Sequence, residues 1–235
     1  MWKPHLAYAN TFVVSTVNKE EPPLFKPQKI SAMNFLPKMV QLRTTESLET
    51  FSEIYSKASG LPIPDSYLHN PNNMVFGIYK NQELIGGYIL GKDSNFRTIA
   101  LFAQEDKHDK LYQALESKDL YTEICCFWIK KEVRTKTALN FFIWLSMAYA
   151  LKRYGTPYVL FGTCSRSLAH LYSVTSKVKF LNEDFINRKS TFIFWGKQQY
   201  ALSGISEIIL YKLKRILGIR KKLIASYDSK DFSAN

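Results

Sequence analysis

Cysteine is scarce in this chain, and its arrangement excludes a disulfide-stabilised fold. The sequence has three cysteines, of which Cys125 and Cys126 are adjacent, so they cannot form the paired framework of a small secreted scaffold. The four histidines are scattered, and none stands at metal-site spacing from a cysteine. We therefore expect a protein of a reducing, cytoplasmic compartment that binds no metal.

The sequence also lacks a hydrophobic run long enough to cross a membrane. Its longest apolar segment, residues 138–151, is interrupted by Asn140 and Ser146 and falls short of the roughly 20 residues that a bilayer core requires. The first residues of the chain are not followed by a sustained apolar stretch, so we expect no secretory signal. The protein is expected to be soluble or, at most, peripheral to a membrane.

Acidic side chains are outnumbered, with 20 Asp and Glu against 32 Lys and Arg, a net charge of +12. Such an excess fits an anionic partner, meaning a phosphate cofactor, an acidic carrier protein, an anionic membrane or nucleic acid, and it also fits solubility alone. Nucleic acid is the least attractive of these partners, because the basic residues form no nucleic-acid-binding motif with exposed aromatics. The apolar content of 46% supports a globular core.

Hydrophobic periodicity and turn residues divide the chain into short alternating elements. Residues 1–38 are rich in proline and are expected to form an extended arm, followed by a domain at 39–200 and a basic helix with a tail at 201–235. The predicted elements are a strand at 39–43, a helix at Thr45–Ser59, a hairpin of strands at 74–79 and 84–90, a helix at 106–115, a strand at Tyr121–Ile129, a helix at 136–153, a strand at 158–164, a helix at 165–174, strands at 177–181 and 190–195, and a helix at 203–217. This order predicts a mixed α/β layer.

Two details of these elements are predicted from single residues. Thr44 or Thr45 is expected to cap the first helix, and Gly60 is expected to end it. Gly86 and Gly87 lie inside the second strand of the hairpin, where they indicate a bulge or the close approach of another backbone.

The strand at Tyr121–Ile129 carries one acid among apolar residues. Regular alternation places Cys125, Phe127 and Ile129 on the same side as Glu123, and Ile124, Cys126 and Trp128 on the other. An ionised carboxylate is costly to bury among such neighbours, so Glu123 is either a general base or a structural acid paired with a Lys or Arg. The polar turn that follows offers backbone N–H groups and a positive helix end, which suit an anion such as phosphate.

The order of the elements and the residues around Glu123 resemble the GNAT superfamily of acyl-CoA-dependent N-acyltransferases. In that family a strand leads into a pyrophosphate-binding turn, Q/R-x-x-G-x-G/A, which opens a helix. The corresponding residues here are Glu132-Val133-Arg134-Thr135-Lys136-Thr137, so a glutamate replaces the Gln or Arg and threonines replace both glycines. The resemblance covers about residues 39–195 and implies an α/β (α+β mixed) fold with a GNAT-like central, mixed, largely antiparallel sheet flanked by helices.

The replaced glycines bear on the donor that the resemblance implies. Glycine lets a backbone approach a pyrophosphate closely, whereas here the side chains of Arg134, Thr135, Lys136 and Thr137 would contact phosphate oxygens as donors. A phosphopantetheine arm on a protein has one phosphodiester, so an acyl carrier protein stands beside acyl-CoA as a candidate donor. In the simpler alternative, Thr135 and Thr137 only cap the helix.

The resemblance also implies catalytic roles. Glu123 is similar to the strand glutamate that takes a proton from the amine in histone-type members, and backbone amides near Phe127, Trp128 and Ile129 would polarise the thioester carbonyl. The family motif N-x-x-A-x-x-L-Y, whose tyrosine protonates the departing thiolate, is matched in part by residues 165–172, which keep the final Leu-Tyr pair. Tyr172 is thus the candidate general acid, or a tyrosine packed on its helix, and His170 is an alternative base or a structural histidine.

Two further segments have open interpretations. The apolar helix at 141–149 is either plain core or part of a tunnel for a long acyl chain. The basic helix at 203–217, with cations continuing to Lys222, could lie on an anionic membrane, dock an acyl carrier protein or pack on the domain.

The sequence therefore predicts a transferase that moves an acyl group from acyl-CoA or acyl carrier protein to a primary amine. The acyl group could be a fatty acyl group, and the amine could belong to a small molecule, an amino acid or a peptide side chain. Two alternatives remain open at this point. One is a catalytically silent GNAT-fold binding module that docks on an acidic protein or a membrane. The other is an acyl-carrier-dependent synthase of acylated signals.

Overall fold

The computed structural model of the chain describes residues 37–102, 105–115, 117–134, 137–175, 177–185 and 188–216. The arm expected at 1–38 lies outside these ranges except for its last two residues, and so does the tail after residue 216.

Seven strands of the described ranges form one sheet with the order β1-β2-β3-β4-β5-β7-β6. The strands are β1 (Lys38–Leu42), β2 (Met74–Lys80), β3 (Glu83–Gly91), β4 (Tyr121–Ile129), β5 (Tyr158–Thr163), β6 (Lys179–Phe185) and β7 (Arg188–Lys197). The β4–β5 pair is parallel, and the other neighbouring pairs are antiparallel. The fold class expected from the sequence, a mixed and largely antiparallel sheet flanked by helices, is confirmed.

Helices cover both faces of this sheet. They are α1 (Thr45–Ser59), α2 (Asp65–Leu68), α3 (Arg97–Ala100), α4 (Glu105–Ala114), α5 (Lys131–Arg134), α6 (Thr137–Tyr154), α7 (Arg166–Thr175) and α8 (Gln198–Ile216). Helices α1 to α4 pack on one face, which we call the front, and α6 to α8 pack on the other, which we call the back. None of the helices in the described part of the chain combines the length and hydrophobicity that a bilayer span requires.

Helix α1 begins and ends where its sequence predicts. The Thr44 Oγ1 accepts a hydrogen bond from the Ser47 N–H (3.3 Å), which satisfies one of the otherwise unpaired donors of the first turn. Gly60 adopts the left-handed conformation (φ 72°) and its N–H donates to the Ser56 carbonyl, as expected of a glycine at the end of a helix. The buried face of Leu48, Phe51 and Tyr55 fixes this helix on the front of the sheet.

The β2–β3 hairpin also matches its prediction, and it shows why Gly87 is required. A Cβ atom at Gly87 would overlap the Phe76 carbonyl oxygen and lie 2.6 Å from the Phe51 ring. Both contacts are far inside van der Waals separation. The close backbone approach expected at Gly86-Gly87 is therefore present, and it lets α1 sit directly on the sheet.

Helix α8 belongs to the core of the domain in its described part. It begins at Gln198, so the boundary expected at residue 201 falls inside a helix. Ala201, Ile205 and Ile208 are buried in the same cluster as the inner face of α6, because the apolar side of α8 covers the back of the sheet. Leu213, near the end of the described part of this helix, is 40% exposed.

Candidate functional site

The parallel strands β4 and β5 separate in the middle of the sheet. They pair over four positions, from Tyr121 opposite Tyr158 to Ile124 opposite Phe161. Beyond that point β4 continues to Ile129 and β5 to Thr163, and the described sheet has no strand between them. Both strands therefore present unpaired backbone edges to the gap, which is the arrangement that an added extended chain can use.

A β-bulge in β4 lies at the mouth of this gap. Cys125 pairs with Ile89 and Trp128 with Gly87, so Cys126 and Phe127 together oppose Tyr88. Cys126 has a φ of 51°, which is uncommon for a residue other than glycine and is often found at functional sites. Strand β4 itself contains no glycine or proline, although Gly87, one of the two glycines that indicated a bulge or a close backbone approach, lies opposite Trp128 at this irregularity.

The bulge overturns the regular alternation expected for this strand. Cys126 and Trp128 pack on the front with Cys125, whereas Phe127 and Ile129 pack on the back with Ile124. The expected grouping of Phe127 and Ile129 with Glu123 was therefore wrong, because the extra residue at the bulge shifts every later side chain to the opposite face.

A cavity of about 600 Å³ opens at this split and crosses the sheet. Its lining includes Phe127, Trp128, Ile129, Arg134 and Tyr172, so five of the residues singled out in the sequence meet in one place. At the strand ends the cavity is bounded by Gly162, Thr163, Cys164 and Ser165.

The two ends of the cavity differ in chemistry. On the back its wall is almost wholly apolar and comes from three helices, through Trp144, Met147, Leu168, Ala201 and Ile205. On the front the wall contains Arg97, Thr98, Cys125 and Cys126 together with Leu61 and Leu101. Trp144 and Met147 of the helix at 141–149 line the cavity and are also buried in the core, so both interpretations of this helix stay open.

Tyr172 stands at the apolar end of the cavity. It is 4% exposed and its ring packs against Phe161, with 4.8 Å between the ring centroids. Burial raises the pKa of its hydroxyl well above the usual range, so the hydroxyl stays protonated. His170 is half-buried on the same helix and does not line the cavity.

Glu123 lies behind the cavity wall rather than in it. The carboxylate is fully buried, with 0% exposure, and its Oε2 accepts hydrogen bonds from the Tyr67 hydroxyl (2.7 Å) and the Arg97 N–H (2.9 Å). Its Oε1 accepts one from the Thr98 N–H. The Tyr67 hydroxyl also contacts the Cys125 Sγ at 3.2 Å, and Cys125 lines the cavity. Glu123 thus fixes the first turn of α3. It is linked to the cavity only indirectly, through the Tyr67 hydroxyl and Cys125.

The segment after β4 differs from the polar turn with free backbone N–H groups that was expected there. Residues Lys131–Arg134 form a helical turn, in which the Val133 and Arg134 N–H groups donate to the Lys130 carbonyl. Those two N–H groups are therefore not available to an anion, contrary to the expectation of a turn with free backbone donors. The Arg134 Nε donates to the Ile129 carbonyl (3.0 Å), which ties the turn to the end of β4.

Three residues of the expected phosphate site remain predictions. Thr135 and Lys136 lie outside the described residues, and Thr137 is the first residue of α6. Helix α6 has 18 residues, and its positive end starts directly after the turn. In the described ranges, no three of the His, Cys, Asp and Glu side chains come together as a metal site would require.

Sequence reasoning missed the front wall of the cavity. Arg97 and Thr98 belong to a segment that carries no recognisable motif, and Arg97 is 26 positions from Glu123 along the chain. The available signal was weak: one cation between Phe96 and Thr98-Ile99 in an otherwise apolar stretch. Burial by itself lowers the pKa of Arg97, but Cys126, Tyr55, Cys125 and Glu123 around it raise the pKa above its usual value, so the guanidinium keeps its charge.

The comparisons with known proteins bear on the fold. No protein-family model matches the sequence, and no curated protein matches it. Among solved structures, FeeM, an N-acyl amino acid synthase from uncultured soil microbes, has a TM-score of 0.51 and 12% identity over 70% of this chain and 92% of its own. Escherichia coli ElaA has a TM-score of 0.47 and 12% identity over 68% of this chain and 99% of its own.

These identities are low, so the likeness to FeeM concerns the backbone arrangement. It agrees with the resemblance carried by the strand, turn and helix after Tyr121 in the sequence. The chain has the fold of the GNAT N-acyltransferases.

Proposed function

We propose that this protein is an N-acyltransferase that moves an acyl group from a phosphopantetheine thioester to a primary amine. The observation that carries the proposal is the separation of β4 and β5 after four paired positions, at a bulge, where a cavity crosses the sheet. A protein that needed only a stable sheet would continue this pairing, because unpaired strand edges and a positive φ at Cys126 are both costly.

The thioester donor fits the gap between the strands. Its pantetheine arm is an extended chain with amide groups, and it can bind as a short additional strand to the free edges of β4 and β5. Backbone amides near Phe127, Trp128 and Ile129 would then polarise the thioester carbonyl, because a fixed donor is worth most where negative charge develops. The phosphate would lie at the positive end of α6, beside Arg134, Thr135, Lys136 and Thr137.

Tyr172 is proposed to assist the departing thiolate. When the amine has added and the carbon–sulfur bond breaks, the sulfur takes up negative charge, and the protonated hydroxyl can donate to it. Because burial raises the pKa of Tyr172, the hydroxyl is a weak acid, and hydrogen bonding to the sulfur is the larger part of this role.

Glu123 is proposed to act on the amine proton only through Tyr67. Its oxygens already accept three hydrogen bonds, and the carboxylate does not reach the cavity. Because Tyr67 does not line the cavity, the amine proton would reach the Tyr67 oxygen through water, and the phenolic proton would pass to Glu123. The charge count balances, since one proton enters the relay and one reaches the carboxylate.

The apolar back of the cavity supports a fatty acyl group as the transferred unit. Trp144, Met147, Leu168, Ala201 and Ile205 offer no charged group to the chain, and the volume of about 600 Å³ lies within the range of small-molecule sites. The donor is proposed to be acyl-CoA or an acyl carrier protein, and the net charge of +12 attracts both anionic donors.

Product analysis by mass spectrometry tests the proposal. The protein is incubated with acyl-CoA and acyl carrier protein donors of graded chain length and with a panel of primary amines. We expect amine-dependent release of free thiol and an N-acylated product, with longer chains preferred. Failure of every donor with every amine would refute acyl transfer.

Two variants locate the reaction in this cavity. Tyr172→Phe is expected to lower kcat by about 10- to 100-fold, whereas Tyr149→Phe, an exposed tyrosine on the outer face of α6, is expected to leave it unchanged. Ala201→Leu should shorten the preferred acyl chain, because it fills the apolar end of the cavity. Unchanged kinetics in both Tyr172→Phe and Ala201→Leu would place the chemistry elsewhere.

A further inference from the structure

Arg97 is a buried cation on the front wall of the cavity. Arg97 is 6% exposed, and its guanidinium lies 5.5 Å from the centre of the Tyr55 ring. The Nη2 donates to the Pro62 carbonyl (2.7 Å). Among the described residues no carboxylate lies within ion-pair distance of this guanidinium, although a buried charge is stable only when it is paired and hydrogen-bonded.

The arginine also has an unused donor. Within the described part of the chain the Arg97 Nε is buried and has no hydrogen-bond partner. The indole Nε1 of Trp128, on the same face of the sheet and in the wall of the same cavity, is likewise buried without a partner in the described ranges. Leaving such a donor unpaired costs roughly 1–3 kcal/mol, and more when the group is charged.

Glu123 does not fill this need, although its carboxylate accepts a hydrogen bond from the Arg97 backbone N–H. Its two oxygens are engaged by the Tyr67 hydroxyl and by the backbone N–H groups of Arg97 and Thr98. The carboxylate therefore holds the backbone of Arg97 in place and leaves the guanidinium for another acceptor. Of the other residues in this wall, Leu61 and Leu101 offer no acceptor from their side chains, and the sulfurs of Cys125 and Cys126 are only weak acceptors.

We propose that Arg97 binds a carboxylate of the amine acceptor, so that the acceptor is an amino acid or a similar amine with an acidic group close to the nitrogen. This rests on the proposed function. The planar N–H fork of arginine matches the two oxygens of a carboxylate better than any other anion-binding side chain. The front of the cavity carries this cation and the back carries the apolar wall, so acceptor and acyl chain approach the split from opposite faces.

Matched pairs of acceptors test the inference without any mutation. Leucine is compared with 3-methylbutylamine, and phenylalanine with 2-phenylethylamine, since each pair differs only by the carboxylate. In the wild-type protein we expect kcat/KM to be about 100-fold higher for the amino acid, the value of one desolvated charge pair. Equal kcat/KM values within the pairs would overturn the inference while leaving acyl transfer intact.

Variants then locate the preference. Arg97→Gln should bring the ratio within each pair close to one, chiefly through a higher KM for the amino acid, with the decarboxylated amines unaffected. Arg43→Gln, which changes an exposed arginine after β1, should keep the wild-type ratio. A preference that survives Arg97→Gln would overturn the assignment, and so would a preference for donors with a terminal carboxylate in place of amino-acid acceptors.

A binding measurement separates this inference from the enzymatic proposal. Calorimetric titration of leucine and of 3-methylbutylamine into the donor-free protein should detect binding of leucine alone, and Arg97→Gln should remove it. If no amine is ever acylated but leucine binds in this Arg97-dependent manner, the carboxylate site stands and the proposed function falls.

Discussion

At the residue scale, Glu123 shows how far one side chain can be understood from its sequence context. An acid inside an apolar strand has either a catalytic or a structural role. The sequence alone identifies the position of this acid. Its partners decide between these roles, and Tyr67 is 56 residues away along the chain. No local pattern could indicate that the Tyr67 hydroxyl and the start of α3 converge on this carboxylate.

Glu123→Gln separates the two roles. Glutamine keeps the size of the side chain but turns an amide N–H₂ toward a hydroxyl or backbone donor, so we expect the free energy of unfolding to fall by about 1–3 kcal/mol. Urea denaturation measures the change, with Glu83→Gln, an exposed acid paired with Lys130, as the control. Wild-type stability combined with lost activity would instead identify Glu123 as a base without a structural role.

Cys164 offers a second test at this scale. It is exposed at the end of β5 and lines the cavity, whereas Cys125 and Cys126 are buried, and burial raises the pKa of the Cys125 thiol well above its usual value. An alkylating reagent should therefore modify Cys164 first, because the thiolate is the reactive form. Bound acyl-CoA should slow that modification severalfold, as followed by peptide mass spectrometry, and an unchanged rate would place the donor elsewhere.

At the element scale, the bulge in β4 is the feature that sequence reasoning could not supply. The limits of β4, of helix α1 and of the β2–β3 hairpin follow from periodicity and from Gly60 and the turn residues. The bulge depends instead on pairing with β3, where Tyr88 faces two residues. Since Cys126 and Phe127 carry no local signal for it, regular alternation was the natural but incorrect expectation.

Deleting Cys126 tests what the bulge contributes. The deletion restores one-to-one pairing between Ile89 opposite Cys125 and Gly87 opposite Trp128, so Phe127 and Trp128 keep their faces and the sheet should still form. We expect a cooperative unfolding transition to remain while acyl transfer falls by about 100-fold or more, since a displaced backbone donor costs that much. Full activity in the deletion variant would show that the bulge plays no part in the reaction.

At the scale of the whole molecule, buried tyrosine and cysteine side chains, which are neutral when protonated, make the free energy of unfolding vary with pH in the alkaline range. Burial raises the pKa of Tyr55 to about 12, and it raises the pKa of Tyr67, Cys125 and Tyr172 above their usual values as well. In the unfolded chain these groups ionise between about pH 8.5 and pH 10.

Because the pKa values of these groups are higher in the folded protein than in the unfolded chain, stability falls as the pH rises. The stabilisation is complete below the unfolded-state pKa, and it is lost as the pH rises toward the folded-state pKa, because the unfolded chain then binds fewer protons. The free energy of unfolding should fall above about pH 9, by about 1.4 kcal/mol per pH unit for each such group. Urea titrations from pH 8 to 11 measure the slope, which Tyr172→Phe should reduce and exposed Tyr149→Phe should not; a flat profile would contradict the burial of these groups.

The fold of the molecule could be predicted from the sequence, whereas the front wall of the cavity could not. The element order and the strand–turn–helix after Tyr121 predicted the fold, because periodicity and turn residues are local. Of the site residues expected from the sequence, Phe127, Trp128, Ile129, Arg134 and Tyr172 line the cavity, and their roles there stay predictions. Its front wall comes from Arg97 and Thr98, which reach the site by long-range packing of α3 on β4 and β5.

Amide hydrogen exchange with an unreactive thioether analogue of acyl-CoA shows whether the donor binds between β4 and β5. We predict slower exchange in peptides that cover residues 125–129 and 162–165, where the donor would pair with the free edges of β4 and β5. The β1–β2 pair, at the far edge of the sheet, should exchange at its original rate. Protection confined to other segments, or no protection at a saturating concentration of the analogue, would contradict the account.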